Sequence, residues 1–134
     1  MSKRDALVAG LTAAAVSALP STIFAVATRA DPLEATLAAG SIVLPTETRR
    51  HHLVAAAVPV HLALSLGWAA VLARVLPRRG TVGAGALAGI VIAALDLGVV
   101  GRRFPRIRAL PSVPQVADHV TFGATVGWVL ARRR

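Results

Sequence analysis

Hydrophobic and polar positions alternate along this chain on the scale of a membrane. Four stretches of roughly the 20 mostly apolar residues that a helix needs to cross a bilayer are separated by short basic connections. Residues 6–28 carry no charge. Residues 53–76 hold His61 and, near their end, Arg74. Residues 82–101 hold one carboxylate, Asp96, and residues 114–131 hold Asp118 and His119 near their start. The pattern predicts an all-α chain forming a single membrane domain over residues 1–134, a four-helix transmembrane bundle with spans at about 6–28, 53–76, 82–101 and 114–131.

The connections add a fifth element. Asp31-Pro32-Leu33-Glu34 reads as a helix start, with Asp31 as N-cap, Pro32 in the first turn and Glu34 at the capping-box position. Gly40 would end that helix. The segment 33–44 is apolar but too short to span, so a short interfacial or re-entrant helix at about 32–39 is expected between spans one and two. The second connection, residues 77–81, is tight and predicts that spans two and three are antiparallel neighbours. The third, residues 102–114, carries four arginines and three prolines, with Ser112 placed to cap the last span. Lys3–Arg4, an apolar stretch and Ala25-Val26-Ala27 also resemble a signal peptide with its cleavage site. The apolar run, at about 20 residues, exceeds the usual 7–15, so a retained first span is expected.

Each span carries a stripe of small or polar residues at helical spacing. In span one it is Gly10, Ala14, Ser17, Ser21, Ala25 and Thr28; in span two, His61, Ser65 and Trp68. Span three has Gly85, Gly89, Ala93 and Asp96, and span four has His119, Gly123 and Gly127. Lipid solvates leucine as well as another helix does, so membrane helices associate through such close-packing faces and through polar contacts. Pro20 and Pro59 are expected to kink spans one and two, with Ser17 or Ser21 meeting freed backbone groups.

Composition agrees with this reading. The chain is 55% hydrophobic and 16% charged, against roughly 45–50% and about 25% for soluble domains, and its mean hydropathy is +0.66. The net charge of +9 does not point to nucleic acid, because the basic residues punctuate the ends of apolar runs. Three Phe, two Trp and no Tyr offer few stacking platforms for bases. Absence of cysteine excludes disulfides, thiolate catalysis and cysteine-ligated metal. One lysine against fourteen arginines, with abundant alanine, suggests a GC-rich bacterial genome and hence the bacterial cytoplasmic membrane. With four spans, eight Lys/Arg lie on the side of the termini and seven on the other. That balance decides little; Lys3 and Arg4 against Arg29 around the first span tilt both termini towards the cytoplasm.

Ionisable residues inside a membrane are costly unless paired, which makes them candidates for function. At about 1.5 Å per residue, His61, Asp96, Asp118 and His119 all fall in the half of the bilayer next to connections one and three. Asp96 has only Val99, Val100, Ala93 and Ile92 one turn away on its own helix, so its partner must come from another helix, with His119 or His61 leading and Arg103 a more distant option. Without a partner it would be protonated. Three readings stand for this cluster: a structural tie between helices, which is expected; a ligand, ion or proton site; and haem held between His61 and His119. His51 and His52, beside Arg49 and Arg50, read as solvated interfacial residues. No serine–histidine–acid spacing, phosphate-binding glycine loop or HExxH pattern appears, so no catalytic residue, metal or cofactor is expected, and an enzyme is the less favoured class. Arg102, Arg103, Arg106 and Arg108 are placed to meet anionic lipid headgroups.

The combination Asp96-Leu-Gly-x-x-Gly-Arg-Arg-Phe-Pro105, followed by Ala117-Asp-His-Val-Thr-Phe-Gly-Ala-Thr-Val-Gly127, resembles small four-span bacterial integral membrane proteins of actinobacterial type, from domain-of-unknown-function families. The likeness covers roughly a third of the chain, best in spans three and four. It implies a helical integral membrane protein and no particular chemistry. The sequence therefore points to a small structural or accessory membrane protein whose partners are the bilayer, anionic lipids and, through its small-residue faces, another copy of itself. The alternatives are a minimal transporter or channel-like subunit with a polar half-cavity, and a haem-binding or other cofactor-binding membrane protein.

Overall fold

The structure, a computed structural model, describes residues 2–133; Met1 and Arg134, the last of the basic residues counted above, lie outside them. Among the described residues it is all-helical. Helix α1 spans Lys3–Val16 and opens with a capping box, in which the Ser2 hydroxyl accepts from Asp5 N–H while the Asp5 carboxylate accepts from Ser2 N–H. Span one is broken, not merely kinked. Pro20 has no N–H for the carbonyl four residues back and its ring crowds that carbonyl; the residue four back is Val16, where α1 ends. The chain restarts as α2, Leu19–Ala27.

Helix α3, Glu34–Gly40, begins later than the capping pattern predicts. Asp31 does not cap it directly. Its carboxylate accepts from Leu33 N–H at 2.9 Å, closing a turn ahead of the helix, and pairs with Arg50. Glu34 turns to Arg106 at 3.3 Å. The helix is tucked under the bundle, with Leu37 and Ala38 fully buried against the next helix. Gly40 is required there, since a Cβ would overlap the backbone of Leu53.

Helix α4, Arg50–Val75, runs unbroken through Pro59. A left-handed Gly80 turns the chain into α5, Thr81–Leu95. Asp96–Val100 then form a π-helical turn, with Gly101 N–H donating to the Asp96 carbonyl, and Gly101–Arg103 a tighter turn. After the single turn α6, Pro105–Arg108, helix α7 runs from Ser112 to Arg133. Among the described residues, three helical stretches are long and apolar enough to cross a membrane: Lys3–Ala27, Arg50–Val75 and Thr81–Arg103. The fourth expected span is a helix of 22 residues, but it is more polar than these.

The long helices pack side by side in the order α4, α1–α2, α7, α5. This corrects the expectation that spans two and three would be neighbours: α4 and α5 barely touch despite their tight connection. The tightest pairing is α5 with α7. Gly85 and Gly89 face Gly123 and Gly127 so closely that a Cβ on any of the four would overlap the opposite backbone. Two complementary glycine pairs outweigh a short loop in choosing the neighbour. The same logic seats Gly10 of α1 against Leu66 and Ala69 of α4.

The two ends of the bundle differ in kind. Near the chain termini Ala9, Ala13, Ala69, Leu72, Val126, Val129 and Leu130 form a packed apolar core. Towards the other end the helices diverge around a cleft. Outside, large apolar side chains such as Leu7, Ile23, Val71, Leu87 and Val91 remain exposed, a surface suited to lipid and not to water.

Candidate functional site: a polar cleft in one half of the bundle

The cleft has a volume of about 520 Å³ and lies where α4 and α5 fail to meet, floored by α1–α2 and α7 and roofed by α3. All four ionisable residues singled out from the sequence, His61, Asp96, Asp118 and His119, line it. So do Ser17, Ser21, Ser65, Gln115 and Trp68, while Leu62, Leu64, Ile92 and Phe122 supply apolar wall.

Each of the four makes a specific contact between or within helices. Asp118 Oδ1 accepts from the backbone N–H of Ser21 at 2.8 Å. Ser21 is the third residue of α2, and the first turn of a helix has backbone donors without intrahelical acceptors. The break at Pro20 thus creates an exposed helix start inside the bundle, and a carboxylate from α7 caps it, favoured further by the helix dipole. Within α2, Ser21 and Thr22 hydroxyls donate to the Ala18 carbonyl at 3.2 and 2.8 Å. His61 Nε2 donates to the Ala14 carbonyl at 2.9 Å, binding α4 to the end of α1.

Asp96 meets His119. The imidazole Nδ1 donates to the Gln115 carbonyl at 2.8 Å, and Nε2 lies 3.2 Å from Asp96 Oδ2. With Nδ1 committed as a donor, a hydrogen bond between Nε2 and Asp96 Oδ2 needs one proton shared between them. Asp96 opens the π turn, and its side chain and that of His119 are 27% and 21% exposed, the cleft being what they face. Arg103, the alternative partner weighed from the sequence, is exposed and makes no ion pair with Asp96.

Haem between His61 and His119 is not supported by this arrangement, because both nitrogens of His119 and one of His61 are engaged by protein. Among the described residues no three His, Asp or Glu side chains converge closely enough to hold a metal ion. At the surface, Arg106 pairs with Glu34, and Arg102, Arg103 and Arg108 are exposed. His52 Nδ1 lies 2.6 Å from Glu47, which also takes the Arg49 guanidinium. The Arg50 guanidinium holds the Asp31 carboxyl below its ordinary value, and Arg49, then His52, do the same for Glu47.

Comparison with family models, curated proteins and solved structures finds no match. The chemistry of the cleft is therefore the guide to function. Sequence spacing brings out the ionisable residues, but not Gln115, although it lies one turn before Asp118 and His119 on the same helix. Nor does it bring out the roof: the signal was Gly40, a small residue placed where α3 and α4 must approach closely.

Proposed function

We propose that the chain is a four-span integral membrane protein of the bacterial cytoplasmic membrane, with a structural or accessory role and both termini in the cytoplasm. The observation that carries the fourth span is the full-length antiparallel pairing of α7 with α1–α2. Asp118 meets Ser21 at one end and Arg133 meets Asp5, at 3.5 Å, at the other. A helix that runs beside a span from end to end crosses with it. Its lower hydropathy fits an inner position: flanked by α1–α2 and α5, α7 shows lipid only part of its surface. At about 1.5 Å per residue its 22 residues reach roughly 33 Å, enough for the hydrocarbon core.

The structural role rests on the polar residues acting as fasteners. Each of the four ionisable groups holds a particular helix junction, which is how a bundle without a hydrophobic driving force fixes its register. A double-mutant cycle in detergent tests it. Asp96→Ala and His119→Ala should each lower stability, and the double variant should show a coupling of about 1 kcal/mol, within the range for interhelical hydrogen bonds in membranes. Coupling of zero would remove the tie. The cleft itself supports a second reading, a minimal transporter or channel-like subunit.

A further inference from the structure

We propose that the cleft between α4 and α5 is a binding site for a lipophilic organic cation, a molecule with an apolar body and a single positive charge. This goes beyond the fastening role, and it stands on three features of the cleft. The first is shape. A space of about 520 Å³ between helices falls in the range of small-ligand pockets, roughly 300–1,000 Å³, and it lies among lipid-facing helices, where an apolar molecule dissolved in the bilayer can reach it.

The second is the charge of the lining. Among the described residues no arginine or lysine lines the cleft. Asp96 and His119 cancel one another wherever their shared proton sits. His61 uses Nε2–H on the Ala14 carbonyl, and its Nδ1 takes no part in that bond. Asp118 spends Oδ1 on Ser21 N–H, and its other oxygen takes no hydrogen bond among the described residues. The sum is a cleft with no cationic side chain from lysine or arginine, one carboxyl group beyond the Asp96–His119 pair and surplus acceptors, which disfavours phosphate and carboxylate headgroups and suits a cation. The third is the wall. Leu62, Leu64 and Phe122 take an apolar body, and the lining includes Trp68, whose indole is of the kind that attracts positive charge.

The test uses purified full-length protein in nanodiscs and tetraphenylphosphonium as probe, with its isosteric anion tetraphenylborate as control, both measured by equilibrium dialysis. Wild type should bind the phosphonium saturably at one site per chain and the borate at least about tenfold more weakly. Asp118→Asn keeps a carbonyl oxygen for Ser21 N–H yet removes the charge, so it should weaken phosphonium binding by about tenfold or more. Ala15→Phe, at an exposed position that lines the cleft, narrows the space while leaving every polar lining residue in place and should weaken binding by about tenfold or more. If Asp118→Asn fails to fold by circular dichroism, Ala15→Phe carries the test alone. No saturable phosphonium binding to wild type would overturn the proposal. Equal affinity for the borate would do so too, as the mark of a cleft that takes only apolar matter. So would wild-type binding by the Ala15→Phe protein. None of these results touches the Asp96–His119 coupling, so the fastening role and the binding site fail separately.

Discussion

At the scale of single residues, the chain separates charges that hold structure within the bundle from charges that hold the surface connection. Asp118 gives the clearest reason for a carboxylate in an apolar helix: a proline in the neighbouring helix exposes backbone donors, and an acceptor must come from somewhere. Asp96 has a different reason, since it and His119 need each other to avoid carrying an isolated charge into an apolar bundle. On the surface, Asp31 and Glu47 have carboxyls held below their ordinary values by arginines. A depressed folded pKa stabilises the fold above the unfolded value, near 4, and the stabilisation is lost as pH falls through the folded value. The connection around α3 should therefore be equally protected from hydrogen exchange between pH 8 and 5, and should loosen only below about pH 4. Loosening of Leu37 and Ala38 amides that begins above pH 5 would contradict these ion pairs.

At the scale of elements, the glycines decide which helices meet. Gly123→Ala places a methyl group into the backbone of α5, a fixed wall that cannot rotate away. It should cost about 2 kcal/mol, as overpacking in a tight core does. Gly67→Ala on α4 is the contrast, because a Cβ there meets nothing; it should be neutral or stabilising by up to about 1 kcal/mol through helix propensity. Unfolding in detergent measures both, and equal effects would mean the α5–α7 contact is not what orders the bundle. Much of this was legible in the sequence. Three apolar spans, the paired glycine stripes and the shared depth of His61, Asp96, Asp118 and His119 all follow from hydropathy and a rise per residue. The neighbour of α5 did not, because a five-residue connection and a glycine face predict different partners, and only three-dimensional complementarity ranks them. The break at Val16 was legible as a kink at Pro20, but whether a proline bends or breaks a helix depends on what receives the freed groups. Here that is Asp118, 97 residues beyond Ser21. The π turn at Asp96 has no local signature beyond Gly98 and Gly101, the latter packed against the Asp96 carbonyl.

At the scale of the whole molecule, packing and polarity are divided along the bundle axis. A packed core of alanine, leucine and valine holds the end near the termini, and the opposite end opens into a cleft lined by His61, Asp96, Asp118 and His119. The two halves are joined by α7, whose C-terminal part packs the core while its N-terminal part carries Gln115, Asp118 and His119 to the cleft. The proposed fourth span is this helix, the least apolar of the long ones. The absence of cysteine makes the crossing directly measurable, because single cysteines can be introduced one at a time without a background. In intact spheroplasts, a membrane-impermeant maleimide should label Thr46→Cys and Ala109→Cys, and should reach Ser2→Cys, Arg79→Cys and Arg133→Cys only after permeabilisation. Labelling of Ala109→Cys and Arg133→Cys from the same side would show that α7 does not cross, and would contradict the account at its centre.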